Sequence, residues 1–442
     1  MLNVTEIKTS LGTRAAILFS NFFLIILAYY QVKSASRSLL IEYWGASNLP
    51  YVWIASAVIL LVFISIYNRL VARYSRLNVV LGSCLLFIAM MAGFHALLDI
   101  TPLAASIGFY IFVDIISVIL VEQFWSLTDT ITQQDEGRRS YWFVSSGGLI
   151  GSIAGGGTAL MLLKYTSLTT ADLLLTSALI LGIIFLLNLK MGRMGLYQEV
   201  PHVGAPVVTR DGLQMLLSNR YIQLIAAALL CAQIAQPLVE FQFMKTIEAT
   251  FTVLDERTEF ISGFFGILGF VSISINLFVT TIIHRYLGVI AGLLVQPLAL
   301  FVTSVGFMVQ PTLFIASAMK ISDRGLSYSI NRASKEQLYI PVEAVHTYQA
   351  KAWIDMLGYR LFKVFGSLII LVFTQGMPWL NGFAEWIPVP GVGQLSWFTL
   401  AVCIGWILIT IQLGREYRAI NNAPRQIQAN GELPDSSDRD TK

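Results

Sequence analysis

Long apolar runs separated by short polar connections fill almost the whole chain. A helix needs about 20 mostly apolar residues to cross the hydrocarbon core of a bilayer, and twelve stretches are of that kind. Six come first: Ala15–Val32, Tyr51–Val71, Val79–Leu98, Leu103–Leu127, Ser140–Leu163 and Leu173–Leu189. Six more follow: Tyr221–Met244, Phe260–Ile283, Leu287–Val309, Pro311–Arg332, Ala352–Phe373 and Leu395–Leu413. The pattern predicts an all-α polytopic membrane protein with twelve transmembrane helices in two six-helix halves. The halves take residues 1–189 and 221–418, and a polar linker with Pro201 and Pro206 takes 190–220. The polar tail 419–442 has no apolar period, and disorder is expected there.

Polar residues interrupt this pattern in particular spans. Span one ends in Tyr29, Tyr30, Lys33 and Arg37, which share a face at helical spacing. Span four carries Asp114, Glu122, Trp125 and Asp129, and span seven carries Gln233, Gln236 and Glu240. Span ten places Lys320, Arg324, Ser327 and Asn331 on one face, with Asp323 beside them. Spans two, three, six, nine and twelve have essentially no interior charge. A charge at bilayer depth costs at least about 2.5 kcal/mol and is tolerated where it faces a watery cavity or a partner. The charged spans therefore predict a polar pathway.

Concentrated cations and rings suit a polyanion with a flat group. Lys33, Arg37, Lys320 and Arg324 offer charge-assisted hydrogen bonds, Tyr29, Tyr30 and Trp125 offer rings for stacking, and Asn331 adds a polar group. Glu122, Glu240, Asp323 and Asp114 are candidates for coupling or charge balance. Plainer readings stand beside these. Lys33 and Arg37 can snorkel to the interface, and Lys320 with Asp323 can form a purely structural pair.

Composition narrows the function classes. The chain is 56% hydrophobic and only 12% charged, where a soluble domain is nearer a quarter charged. A net charge of +3 is too small to predict nucleic-acid binding. Cys84, Cys231 and Cys403 sit singly in apolar runs, and the four histidines lack metal-ligand spacing. The glycine-rich stretch Ser146–Gly157 lacks the Gly-Lys-Ser/Thr ending of a phosphate loop; its small residues read as close helix packing in lipid. No nucleophile, base and oxyanion set is visible, so no enzyme, cofactor or metal is predicted. The polar start Met1–Arg14 lacks signal-peptide features, and the first span is expected to act as its own insertion signal. Arg69, Arg73, Arg76, Arg138, Arg139, Lys190, Arg193 and Arg285 fall on one side of the predicted membrane. The positive-inside rule then places both termini in the cytoplasm.

Two six-helix halves joined by one long cytoplasmic loop resemble the plan of the major facilitator superfamily. In that arrangement spans one, four, seven and ten line the central cavity. More specific words occur at span ten and beyond. They are Asp323-Arg324-Gly325-Leu326-Ser327-Tyr328-Ser329-Ile330-Asn331-Arg332, then Lys335 to Val342, Tyr348 to Asp355 and Tyr359-Arg360. Gln123-Phe124-Trp125-Ser126-Leu127 and the glycine-rich span five agree with them. Together these stretches resemble the ATP/ADP translocase family of plastids and intracellular bacteria. The resemblance implies exchange of ATP for ADP, with basic residues of spans one and ten meeting phosphates. The protein is expected in a bacterial inner membrane, as a monomer in the bilayer with a small anionic substrate and no nucleic-acid partner. Two other readings remain open: a proton-coupled carrier of another anion, such as a siderophore or metabolite, and a non-transporting scaffold or sensor.

Overall fold

Backbone amides and carbonyls find no water inside a bilayer, so each apolar run closes its hydrogen bonds within itself as a helix. The computed structural model of the protein describes residues 11–131, 134–197, 217–339, 353–354, 358–383 and 391–429. The first six long helices are α1 (Leu11–Trp44), α2 (Leu49–Arg73), α3 (Arg76–Ile100), α4 (Pro102–Ile131), α5 (Gln134–Tyr165) and α6 (Asp172–Arg193). The next three are α7 (Arg220–Thr250), α8 (Leu254–Tyr286) and α9 (Gly288–Val309). Helix α10 starts as Leu313–Leu326 and passes through a π-helical turn, Ser327–Asn331, into Arg332–Leu338. Helix α11 runs through Tyr359–Leu371, a π turn at Val372–Gly376, and Met377–Phe383. Helix α12 is Ser396–Ala429.

Among the described residues, eleven helices are long and apolar enough to cross a membrane. The twelfth, α10, falls outside that set because Lys320, Asp323 and Arg324 interrupt its apolar run. Helix α1 packs on α4, α5 and α6, while α7 packs on α10, α11 and α12. Across the middle, α5 and α1 meet α8, and α2 meets α11.

The glycines of α5 make these contacts possible. A methyl carbon at Gly147, Gly151 or Gly155 would lie 2.6 Å from the carbonyl oxygen of Phe19, Phe23 or Leu27 on α1. At Gly156 it would lie 2.6 Å from the carbonyl oxygen of Ser262 on α8. One face of α5 thus admits α1 and another admits α8, which accords with helix packing rather than a phosphate loop.

Two sequence expectations are corrected. Span one does not end near Val32: α1 continues to Trp44, and its added turns bury Ala35, Leu39, Leu40 and Ile41. Lys33 and Arg37 therefore lie well inside the helix, and Arg37 is buried instead of snorkelling. The tail is not disordered from its start, because α12 runs on to Ala429; arginine, glutamine and alanine in 419–429 are good helix formers. The rest of the tail, most of the linker, and the family words at Ile340–Ala352 lie outside the described residues.

Between described residues, the hydrogen bonds and ion pairs that join the halves all lie on one side of the charged helix centres. Arg257 donates to Glu42 at 3.0 Å, and the backbone amide of Ala46 donates to Glu248 at 2.7 Å. Lys245 reaches Ser47 at 3.1 Å, Thr170 donates to Asp255 at 2.6 Å, and Ser262 donates to Ser34 at 2.7 Å. These contacts seal the end of the bundle where α1 turns into α2.

Candidate functional site: a charged cluster between the halves

Directly beneath this seal, α1, α4, α7, α10 and α11 bring their charged residues together. Each lies on the inward stripe of its helix, where an unpaired charge would otherwise meet lipid. Lys320 of α10 is 1% exposed. Its Nζ lies 2.5 Å from Glu240 Oε2 on α7 and 3.2 Å from Asp323 Oδ2 one turn along its own helix. Asp323 also receives Arg324 Nε at 3.6 Å. Gln296 on α9 donates to the Asp323 backbone carbonyl at 2.9 Å, which ties this turn of α10 to its neighbour. Two cations meet two carboxylates here, so this side of the cluster is electrically balanced.

The α1 side is not balanced. Lys33 Nζ stands over three rings: Phe265 at 4.4 Å, Tyr30 at 4.7 Å and Tyr29 at 5.3 Å. Ring quadrupoles hold an ammonium electrostatically without neutralising it. Arg37 lies 3.7 Å from Asp114 on α4 and stacks on Tyr110 at 4.9 Å. A separation of 3.7 Å is too long for a hydrogen bond. Arg37 Nη1 does donate to Ser36 Oγ at 3.1 Å. Its Nε is buried with no hydrogen-bond partner, an open donor that an anion would satisfy.

Lys363 of α11 completes the cluster. It lies within electrostatic reach of Asp114, Arg324, Arg37 and Glu240, and Lys33 lies within reach of Arg37, Arg324, Glu240 and Lys320. Five basic side chains thus face three carboxylates, a formal excess of two basic groups among the described residues. The excess sits on Lys33, on the loosely held Arg37 and on Lys363. Arg324 keeps 24% exposure of its side chain and lies 5.7 Å from the Tyr328 ring, which is itself exposed.

The structure brings together most of the residues singled out by sequence, but not all. Lys33, Arg37, Tyr29, Tyr30, Asp114, Glu240, Lys320, Asp323 and Arg324 meet as described. Glu122 does not join them: it lies two turns beyond Asp114, about 12 Å along α4, exposed, with Tyr67 and Asp129 as its titratable neighbours. Helical spacing says which stripe residues share, and eight residues carry Glu122 too far along the axis to reach the cluster. Trp125 lies farther still and stacks on Tyr141 at 5.8 Å and against Phe22 at 5.4 Å. Asn331 is buried at the end of the π turn, two turns past Arg324. Sequence reasoning missed Lys363, Tyr110 and Phe265. Lys363 had a signal, a lysine inside predicted span eleven. The two rings had none, since aromatic residues are common in every span.

Buried charge drawn from both bundles, in a protein with twelve long helices among the described residues and sealed at one end, defines a multi-pass membrane carrier. Residues 90–320, a little over half of the chain, match the family model described as TLC ATP/ADP transporter, and the chain belongs to that family. The chain is 23% identical to "ADP,ATP carrier protein 4" of Rickettsia felis over 449 residues, covering 86% of this chain and 84% of that protein. It is also 23% identical over 240 residues to "ADP,ATP carrier protein 1" of Chlamydia trachomatis serovar D, covering 49% and 43%. Among solved structures, the POT family transporter PepTSo is similar with a TM-score of 0.64 at 11% identity, covering 92% and 98%. A bacterial homologue of the iron transporter ferroportin, in an inward-facing state, has a TM-score of 0.63 at 13% identity, covering 92% and 99%. The fold is that of the major facilitator transporters, and the chain is a transporter, not an enzyme.

Proposed function

We propose that this carrier exchanges nucleotides of the ATP and ADP kind by alternating access, and that the charged cluster is where their phosphates bind. The observation that carries the reading is the formal excess of two basic side chains, contributed by both halves and left without carboxylate partners among the described residues, which a bound polyanion would hold in their charged form. A phosphate chain would take the open Nε of Arg37 and the ammonium groups of Lys33 and Lys363. It would also compete with Asp323 for Arg324. Arginine suits this role because its planar fork matches phosphate oxygens, while lysine acts as a point charge. Tyr29 and Tyr30 supply aromatic surface beside the cluster for the base. When the site is empty, Asp114, Glu240 and Asp323 hold the cations that they can reach.

In this reading the seal lies at the outer face and both termini lie in the cytoplasm of a bacterial inner membrane, so the described state opens inward. Residues 1–189 and 221–418 would rock about the cluster as two bodies within one monomer. In a background without Cys84, Cys231 and Cys403, a membrane-impermeant thiol reagent added outside cells should label Thr252→Cys and miss Tyr74→Cys. The opposite pattern would invert the orientation.

Exchange is tested in proteoliposomes loaded with ADP. Uptake of labelled ATP should require the internal nucleotide and should be indifferent to a proton gradient. Uptake that follows an imposed proton gradient and needs no internal nucleotide would replace exchange with a proton-coupled mechanism.

A further inference from the structure

A cavity lies away from the charged cluster, on the outer flank where α5 meets α8 and α10. It holds about 570 Å³, within the range of pockets that take small organic ligands. Its walls include Leu160, Phe260, Phe264, Ile267 and Ile321. Its mouth carries two carboxylates, Glu256 and Glu259, three residues apart on α8 and so on one face of that helix.

The proportions are those of an amphiphile. From Glu256 to Ile267 α8 rises roughly 16 Å, about half of a 30 Å hydrocarbon core. The polar mouth therefore sits at the start of α8, where the helix enters the membrane, and the apolar walls run one leaflet deep. Ile267 is 57% exposed on the flank of the bundle, so the cavity is open to lipid. Charge at the mouth is incompletely matched. Lys164 lies 3.9 Å from Glu259, which leaves Glu256 exposed with no cation within ion-pair distance among the described residues.

We propose that this groove binds a phospholipid with a primary-amine headgroup. Its acyl chain lies between α5, α8 and α10, and its ammonium lies between Glu256 and Glu259. A primary ammonium has three N–H donors for carboxylate oxygens. A trimethylated choline headgroup has none, and a glycerol headgroup leaves the lipid anionic and repelled by the two glutamates. The groove joins Leu160 of one half to α8 and α10 of the other, and Ile321 is the residue next to Lys320. A lipid held there would favour the arrangement in which this end is sealed. The assignment does not depend on which solute the carrier moves.

Purified protein in detergent, titrated separately with phosphatidylethanolamine, phosphatidylcholine and phosphatidylglycerol, is read by native mass spectrometry for retained lipid. Wild-type protein should retain the ethanolamine lipid about threefold to tenfold more strongly than the choline lipid, as expected for a charge-assisted contact at a partly exposed site. The Glu256→Gln/Glu259→Gln variant should lose that preference. Gly263→Leu should lower retention of every lipid by filling the groove. The first side-chain carbon at Gly263 would meet Leu160 at 3.4 Å, an ordinary contact that spares the fold. Equal retention of the ethanolamine and choline lipids by wild type would overturn the proposal. So would a preference that survives the double substitution, or undiminished retention by Gly263→Leu.

Discussion

The two halves present cation pairs with the same spacing and opposite surroundings. Lys33 and Arg37 lie one turn apart on α1, and Lys320 and Arg324 lie one turn apart on α10. On α10, Lys320 is enclosed by Glu240 and Asp323 and is 1% exposed. On α1, Lys33 has rings instead of carboxylates, and Arg37 has a distant Asp114 and an open donor. The spacing that suggests a symmetric clamp thus contains two different devices. One is a neutralised ion network that ties α7 to α10. The other is a site with charge to spare.

That difference can be broken by mutation. The largest effect is expected on α10. Lys320→Gln leaves two buried carboxylates without their shared cation, a loss on the order of 3–5 kcal/mol. Thermal melting of the solubilised variant should fall sharply, and adding Glu240→Gln should restore part of it. A Lys320→Gln protein that melts like wild type would show that the network is not structural. On α1, Lys33→Gln and Arg37→Gln should keep the wild-type melting profile and weaken nucleotide binding about tenfold or more, the effect of roughly 1.5–3 kcal/mol. Arg37→Lys should recover only part, because a point charge cannot rebuild a planar fork. Equal melting losses on both helices would erase the contrast.

Smaller effects sharpen the frame around the site. Gly151→Ala forces a methyl carbon to 2.6 Å from the Phe23 carbonyl, and overpacking of that kind costs about 1–3 kcal/mol. Its melting should drop while Gly157→Ala, where nothing lies within 4 Å, should not. The least effect is expected at the seal. Glu42 is 35% exposed, so Glu42→Gln should weaken the pair with Arg257 by less than about 1 kcal/mol. External thiol labelling of Ala46→Cys, a position buried in the seal, should quicken a few-fold. An unchanged rate would mean that this pair does not hold the end closed.

Fold class was legible because an apolar run in lipid has few alternatives to a helix, and the runs are long. What hydropathy hid were the boundaries of mixed segments. Residues 33–44 alternate polar groups with Leu39, Leu40 and Ile41, and only packing beneath α7 and α8 shows them as helix. The site was half legible. Charges in apolar spans pointed to Lys33, Arg37, Asp114, Glu240, Lys320, Asp323 and Arg324, because burial makes such residues expensive wherever they occur. Lys363 carried the same signal, a lysine inside predicted span eleven, and was passed over. Glu122 and Trp125 were drawn in by helical spacing, which tells which face residues share but not how far apart they lie along the axis. The partnering that separates Lys33 from Lys320 is local in part, with Tyr29 and Tyr30 beside one and Asp323 beside the other. Phe265 of α8 and Glu240 of α7 come from far away in sequence, and no local pattern carries them.

The central claim is that the excess positive charge between the halves is a site for phosphate groups. Calorimetric titration of the purified wild-type carrier with ATP, ADP and adenosine tests it most directly. The account predicts that ATP and ADP bind, that both affinities fall as salt rises, and that adenosine at the same concentrations shows no binding. Adenosine binding as tightly as ADP, or nucleotide affinities indifferent to salt, would contradict it.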